Sequence, residues 1–198
     1  MPRLVVTPLL PILLATGAIC GSSPAAAAPA VNVTSAGGPG ALQGEANSAA
    51  AGDIPDNQVF LVFHHQGGEY SVKYPEGWAQ QGSAAMVVFR DKNNIVRIVL
   101  AKAAAPTVAS VRRDLRGLGR ARVQTQPHVL RLPVGPALKV VYTTVSAPNP
   151  VTGKRVTLVV DRYYLWRSGR RAVVDLGTPE GVDNVDAYRL MIESFRWR

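Results

Sequence analysis

From Val59 onward the apolar residues recur at the spacing of β-strands, and only twice at the spacing of a helix. Val59–Phe63 is a short apolar run that fits an entering strand. Tyr70, Val72 and Tyr74 alternate with Ser71 and Lys73, which predicts a second strand with one buried face. Pro75 fixes its own φ and Gly77 is free to take a positive one, so Pro75-Glu76-Gly77 turns the chain and delivers Trp78 to the sheet. Met86–Arg90 and Ile95–Lys102 follow as a hairpin across the polar stretch Asp91-Lys92-Asn93-Asn94.

The first helical stripe starts at Pro106-Thr107. Val108, Val111, Leu115 and Leu118 line one side of it, and Gly117 and Gly119 end it. Strands resume with Val129–Leu132, Leu138–Val145 and Val156–Trp166; Ser168-Gly169 turns the last of these back into Arg170–Leu176. Asp183 is placed to cap a final helix from Asn184 to about Glu193, which buries Val185, Tyr188, Met191, Ile192 and Phe195. Runs of strands, with one helix after the fourth and another at the end, predict an α+β domain: an antiparallel sheet flanked by helices.

Several short matches resemble the PsbP-like domains of exported bacterial and thylakoid-lumen proteins. They are Tyr74-Pro75-Glu76-Gly77-Trp78, Phe89-Arg90-Asp91, Arg162-Tyr163-Tyr164, Gly177-Thr178-Pro179 with Asn184 after it, and Ser194-Phe195. The resemblance covers residues 59–198 and implies an α/β/α sandwich around a central antiparallel sheet. It carries no activity with it, because the matching residues are those that determine the fold. The chain departs from the photosystem members in its positive charge and its long Ala/Gly tether.

Residues 1–27 read as a secretory signal peptide: Arg3 is the positive start, Leu4–Leu14 the apolar core, and Ala25-Ala26-Ala27 the small-residue cleavage site. The apolar core, interrupted by Pro8 and Pro11, is shorter than the roughly 20 residues a bilayer span needs. Cys20, the single cysteine, invites a lipoprotein reading in which it carries a diacylglyceryl anchor. The preceding Gly17, Ala18 and Ile19 depart from the usual small-residue box, so Cys20 either bears that anchor or leaves with the leader. Residues 28–58, rich in Ala, Gly, Ser and Pro, are expected as a disordered tether, being too poor in large apolar side chains to offset their conformational entropy. An extracytoplasmic protein is expected, either secreted or tethered on the outer face of the cytoplasmic membrane.

Charge is concentrated in the domain. Residues 1–57 hold one basic and three acidic residues, leaving 21 of the 22 basic and 10 of the 13 acidic side chains in the rest, a net of +11. Such a field favours an anionic partner. The cations form two sequence clusters: Arg112, Arg113, Arg116, Arg120 and Arg122 around the first helix, and Arg167, Arg170 and Arg171 around the hairpin turn. Trp166, Tyr163 and Tyr164 stand near the second, a combination that also suits nucleic acid. Export and the lack of a nucleic-acid motif argue against that target, so the expected partner is an anionic envelope component or an acidic protein face.

No nucleophile elbow, phosphate loop or zinc-protease motif occurs, and no cofactor is expected. His64 and His65 would point to opposite faces of a strand, and His128 is distant, which is no metal-ligand spacing. Asp161 and Asp175 are expected to face each other across the last hairpin, each paired with a neighbouring arginine, Arg162 or Arg171. A non-enzymatic binding or assembly module is the expected function, with small-ligand binding in a pocket between sheet and helix as the alternative.

Overall fold

The computed structural model describes residues 52–149 and 152–198; the leader, Cys20 and the tether up to residue 51 lie outside them. In chain order the strands are β1 (Phe60–His64), β2 (Tyr70–Pro75), β3 (Ala79–Gly82), β4 (Met86–Asp91) and β5 (Asn94–Lys102). Helix α1 (Val108–Arg116) follows, then β6 (Arg122–Val123), β7 (His128–Leu132), β8 (Gly135–Val145), β9 (Thr157–Arg167) and β10 (Arg170–Pro179). Helix α2 (Val185–Glu193) and β11 (Arg196–Trp197) close the chain. All pairings are antiparallel, and the fold is the α+β arrangement that the pattern of strands predicts.

The large sheet runs β3-β4-β5-β10-β9-β8, and β7 and β6 share the outer edge of β8. A smaller sheet, β1-β2-β11, joins α2 over one face of it. There Phe63, Tyr70, Phe89, Tyr188, Met191, Ile192 and Phe195 form one core. Helix α1 covers part of the other face, packing Val111 and Leu115 with Leu138, Val140, Leu158, Val160 and Tyr164. Strand alternation assigns the faces: Leu158, Val160 and Tyr164 point towards α1, and Tyr163 and Leu165 away from it.

Three strands escape the periodicity. β3 (Ala-Gln-Gln-Gly) is exposed throughout, and β6 and β11 are two residues long, so none has an apolar alternation to read. Val185 is 69% exposed rather than buried, because the inward side of α2 is formed by Tyr188, Met191 and Ile192. The helix begins one residue later than expected, with Asn184 at the N-cap; the Asp183 carboxylate accepts from the Val185 N–H at 3.2 Å.

Asn184 itself turns inward. It donates to Thr178 Oγ1 (2.8 Å), Asn94 Oδ1 (3.1 Å) and the Gly52 carbonyl (3.2 Å), and accepts from the Ile54 N–H (2.8 Å). Asn94 therefore lies in the core rather than in an exposed turn. The network also draws Gly52 and Ile54, which had been expected in the tether, onto the domain. It ties the entering chain, the β4–β5 hairpin, the end of β10 and the start of α2 at one point.

Candidate functional site

Thr107 opens α1 from an extended backbone. Its hydroxyl accepts from the Ser110 N–H (3.1 Å), while its own N–H donates to Ser110 Oγ (2.9 Å), a reciprocal cap. With Val111 and Leu115 turned to the sheet, Arg112, Arg113 and Arg116 are exposed on the rest of the helix surface. Arg113 and Arg116 lie in the last turn, where a cation meets the negative end of the helix dipole. Arg120 and Arg122 continue the exposed series into β6. Arg112 donates to Gln126 at 3.3 Å, and none of the five has a carboxylate within 4.0 Å among the described residues.

The second cluster is split by its strand. Arg167 is exposed, but Arg170 pairs with Glu69 beside the small sheet. Arg171, one residue on, points to the α1 face, where it lies 3.9 Å from Asp114 and over the Tyr164 ring. Among the described residues the hairpin tip thus presents one arginine without a carboxylate partner, Arg167, rather than three.

The α1 face also holds a charged ribbon. Ser168 and Gly169 both take positive φ (47° and 79°), a tight turn that sets Arg167 opposite Arg170. Counting along the ladder then places Asp175 between Arg162 on β9 and Arg97 on β5. Asp161 instead faces Leu176 in the ladder and pairs with Lys139 at 2.6 Å, so the two aspartates do not face each other and Arg171 is not the partner of Asp175. The Asp175 carboxylate accepts from Arg162 Nε (2.5 Å) and Nη2 (2.9 Å), and from Arg97 Nε (3.0 Å) and Nη2 (2.5 Å).

Arg162 and Asp175 are both buried, whereas the Arg97 side chain is 36% exposed. Burial opposes the charge on Arg162, but the hydrogen bonds and charge of Asp175 outweigh it, so the guanidinium is held protonated more firmly than usual. Tyr142 lies beneath Arg162, 5.2 Å from ring centre to guanidinium. Burial and the Asp175 charge push its phenol up to about 12 against the pull of both arginines.

Beside the ribbon, where α1 ends, the sheet is uncovered and a cleft of about 290 Å³ opens. Ile95, Tyr142, Leu158 and Val160 contribute apolar surface to it, and Leu118 adds to this from beyond the helix. Gly177 lies below: a Cβ there would meet Ile95 Cγ2 at 2.9 Å and Val160 Cγ2 at 3.4 Å, so only glycine lets these strands pack as they do. Arg90, Lys92 and Arg97 also line the cleft, and Asp175 is the one carboxylate among its described lining residues. The sequence marks Arg90 only within the Phe89-Arg90-Asp91 match and Lys92 only within the hairpin turn, and gives none of Arg90, Lys92 and Arg97 a place in a site. The available signal was register: the Ser168-Gly169 turn fixes Asp175 opposite Arg162, but only the β5–β10 pairing brings in Arg97.

His64 is exposed and His65 buried, as neighbours on opposite faces; His65 stacks on Tyr70, with Nε2 at 2.7 Å from the Ala84 carbonyl. Among the described residues no three His, Cys, Asp or Glu side chains gather as a metal site. No described helix is long and apolar enough to cross a membrane.

No family model and no curated protein matches the chain. Among solved structures it is similar to a cyanobacterial PsbP from Synechocystis: 15% identity, 75% of this chain and 99% of that one covered, TM-score 0.54. More distant matches include LpqN of Mycobacterium tuberculosis, described as involved in cell envelope biogenesis (16% identity, 72% and 92% covered, TM-score 0.40). The Saccharomyces cerevisiae Ran-binding protein Mog1p is another (11% identity, 70% and 95% covered, TM-score 0.44). The domain therefore has a PsbP-like fold, as the matches from Tyr74 to Phe195 imply.

Proposed function

We propose that the chain is an exported, non-catalytic binding module that docks an anionic envelope component through the exposed side of α1 and the strand after it. One observation carries this reading: Arg112, Arg113, Arg116, Arg120 and Arg122 are all exposed, and none is neutralised by a carboxylate among the described residues. A polar face needed only for solubility usually mixes both signs of charge, and a single-sign field attracts anions over a distance. The signal-like segment at residues 1–27 supports a location outside the cytoplasm, and the strand-rich fold without catalytic motifs supports binding rather than turnover. The cleft favours a second reading, an extracytoplasmic small-ligand-binding protein.

The test is sedimentation with vesicles of phosphatidylglycerol, against neutral phosphatidylcholine, across a salt series. Wild type is expected to bind only the anionic vesicles and to weaken with salt, because exposed charges are screened beyond about 8 Å at physiological ionic strength. Replacing Arg112, Arg113 and Arg116 together by Gln is expected to abolish most binding while changing stability by no more than about 1 kcal/mol. Binding by the triple variant equal to wild type at every salt concentration overturns the proposal. Soluble polyglutamate run as competitor distinguishes a general preference for anionic polymers from one for lipid.

A further inference from the structure

The cleft beside the charged ribbon has a chemistry of its own, separate from the exposed side of α1. Two guanidinium groups share one carboxylate there, so the Arg97–Asp175–Arg162 group keeps a net positive charge inside a concave wall of mixed polar and apolar residues. Arg162 uses Nε and Nη2 on Asp175 and is buried; the surplus is therefore presented by Arg97, whose Nη1 is left over by its two bonds to Asp175. Arg90 adds a cation on the same wall, and the only lining carboxylate described is already satisfied by four N–H donors. Low-dielectric walls concentrate such a field.

Tyr142, Leu158 and Val160 offer the opposite quality across the same space: they belong to the core that α1 covers, and their edges form an apolar floor where that cover ends. The volume, about 290 Å³, falls just below the range of drug-sized ligand pockets, which run from about 300 to 1,000 Å³, and so suits only a small molecule. A few convergent polar groups on an apolar wall are what a small-molecule site requires.

We propose that this cleft binds a small organic anion, its carboxylate or phosphate head between Arg90 and Arg97 and its short apolar body against Tyr142, Leu158 and Val160. The proposal goes beyond docking by α1 and does not depend on it, since none of the α1 arginines lines the cleft.

Titration of the labelled chain with hexanoate, hexyl phosphate, hexanol and inorganic phosphate, followed by amide and side-chain NMR shifts, tests it. At least one of the two hexyl anions is expected to shift signals of Arg97, Tyr142 and Val160 saturably, and the two arms identify the preferred head group. Hexanol and inorganic phosphate are expected to bind at least about tenfold more weakly, since each lacks half of the recognition. Arg97→Gln leaves the Arg162–Asp175 pair intact and removes the surplus charge, so it is expected to weaken the anion by at least about tenfold. Arg90→Gln, on an exposed side chain, gives the same direction if the first variant misfolds. The Arg112, Arg113 and Arg116 triple variant is expected to bind the hexyl anions like wild type. Hexanol binding as well as the anions, inorganic phosphate binding as well as hexyl phosphate, or no saturable shift with any probe overturns the proposal.

Discussion

The two faces of the large sheet are built on different principles. The face under β1, β2, β11 and α2 is closed by aromatic packing: Phe195 stacks on Tyr70 at 5.1 Å and meets Trp197 edge-on at 5.2 Å, while Phe89 contacts both Phe63 and Tyr74. Among the described residues the other face has a single nine-residue helix for cover, and what that helix does not reach is occupied by charge and by a cleft. A buried ion pair rarely adds stability over an apolar pair of the same shape. Its presence on the less covered face, beside open space, separates the part of the sheet that holds the fold from the part where we propose a small anion binds.

The comparison breaks most sharply at Phe195. Its side chain is fully buried against two rings, so Phe195→Ala is expected to cost about 4 kcal/mol through lost transfer energy and the cavity left behind. Urea unfolding followed by tryptophan fluorescence measures it. A cost below about 1 kcal/mol would mean that the aromatic face collapses around the gap and is not the rigid half of the molecule.

The ribbon gives the next largest effect, and an asymmetric one. Asp175→Asn leaves Arg162 buried without its counter-charge and is expected to cost about 3 kcal/mol. Arg97→Gln, one-third exposed and leaving Asp175 its bonds from Arg162, is expected to cost at most about 1 kcal/mol. Equal costs for the two, in the same urea experiment, would make the ribbon a structural unit and remove the distinction between its buried pair and its cleft-facing arginine.

The two faces were also unequally legible in sequence. The aromatic face is spelled out by local alternation: Tyr70, Val72 and Tyr74 on β2, and Tyr188, Met191 and Ile192 on α2, follow the periods of strand and helix. The ribbon depends on pairings between strands, which no local period encodes. A register displaced by one residue puts Asp175 against Asp161 instead of Arg162 and moves every side chain of the strand to the other face. Arg97 enters from β5, 78 residues before Asp175, and only the closed sheet brings the two together. The Gly177-Thr178-Pro179 and Asn184 matches were visible as a pattern, yet their reason is the buried network around Asn184 and the hydrogen bond from the Tyr188 hydroxyl to the Gly177 carbonyl.

The smallest effect concerns pH. The Tyr142 phenol, pushed up to about 12 by burial and the Asp175 charge, ionises at about 10 once the chain unfolds. Between those values the unfolded chain has released a proton that the folded chain keeps, so stability holds up to about pH 10 and falls as pH rises through the folded value. The share due to Tyr142 is on the order of 2 kcal/mol by pH 12. Tyr70 and Tyr188, deeper in the aromatic face, are raised further and add to the same alkaline loss. Tyr142→Phe isolates the ribbon's part. Urea midpoints taken from pH 9 to 12 are expected to fall less steeply in that variant than in wild type. Parallel curves would mean that the phenol titrates alike in both states, and that the wall of the cleft is wetter than its burial implies.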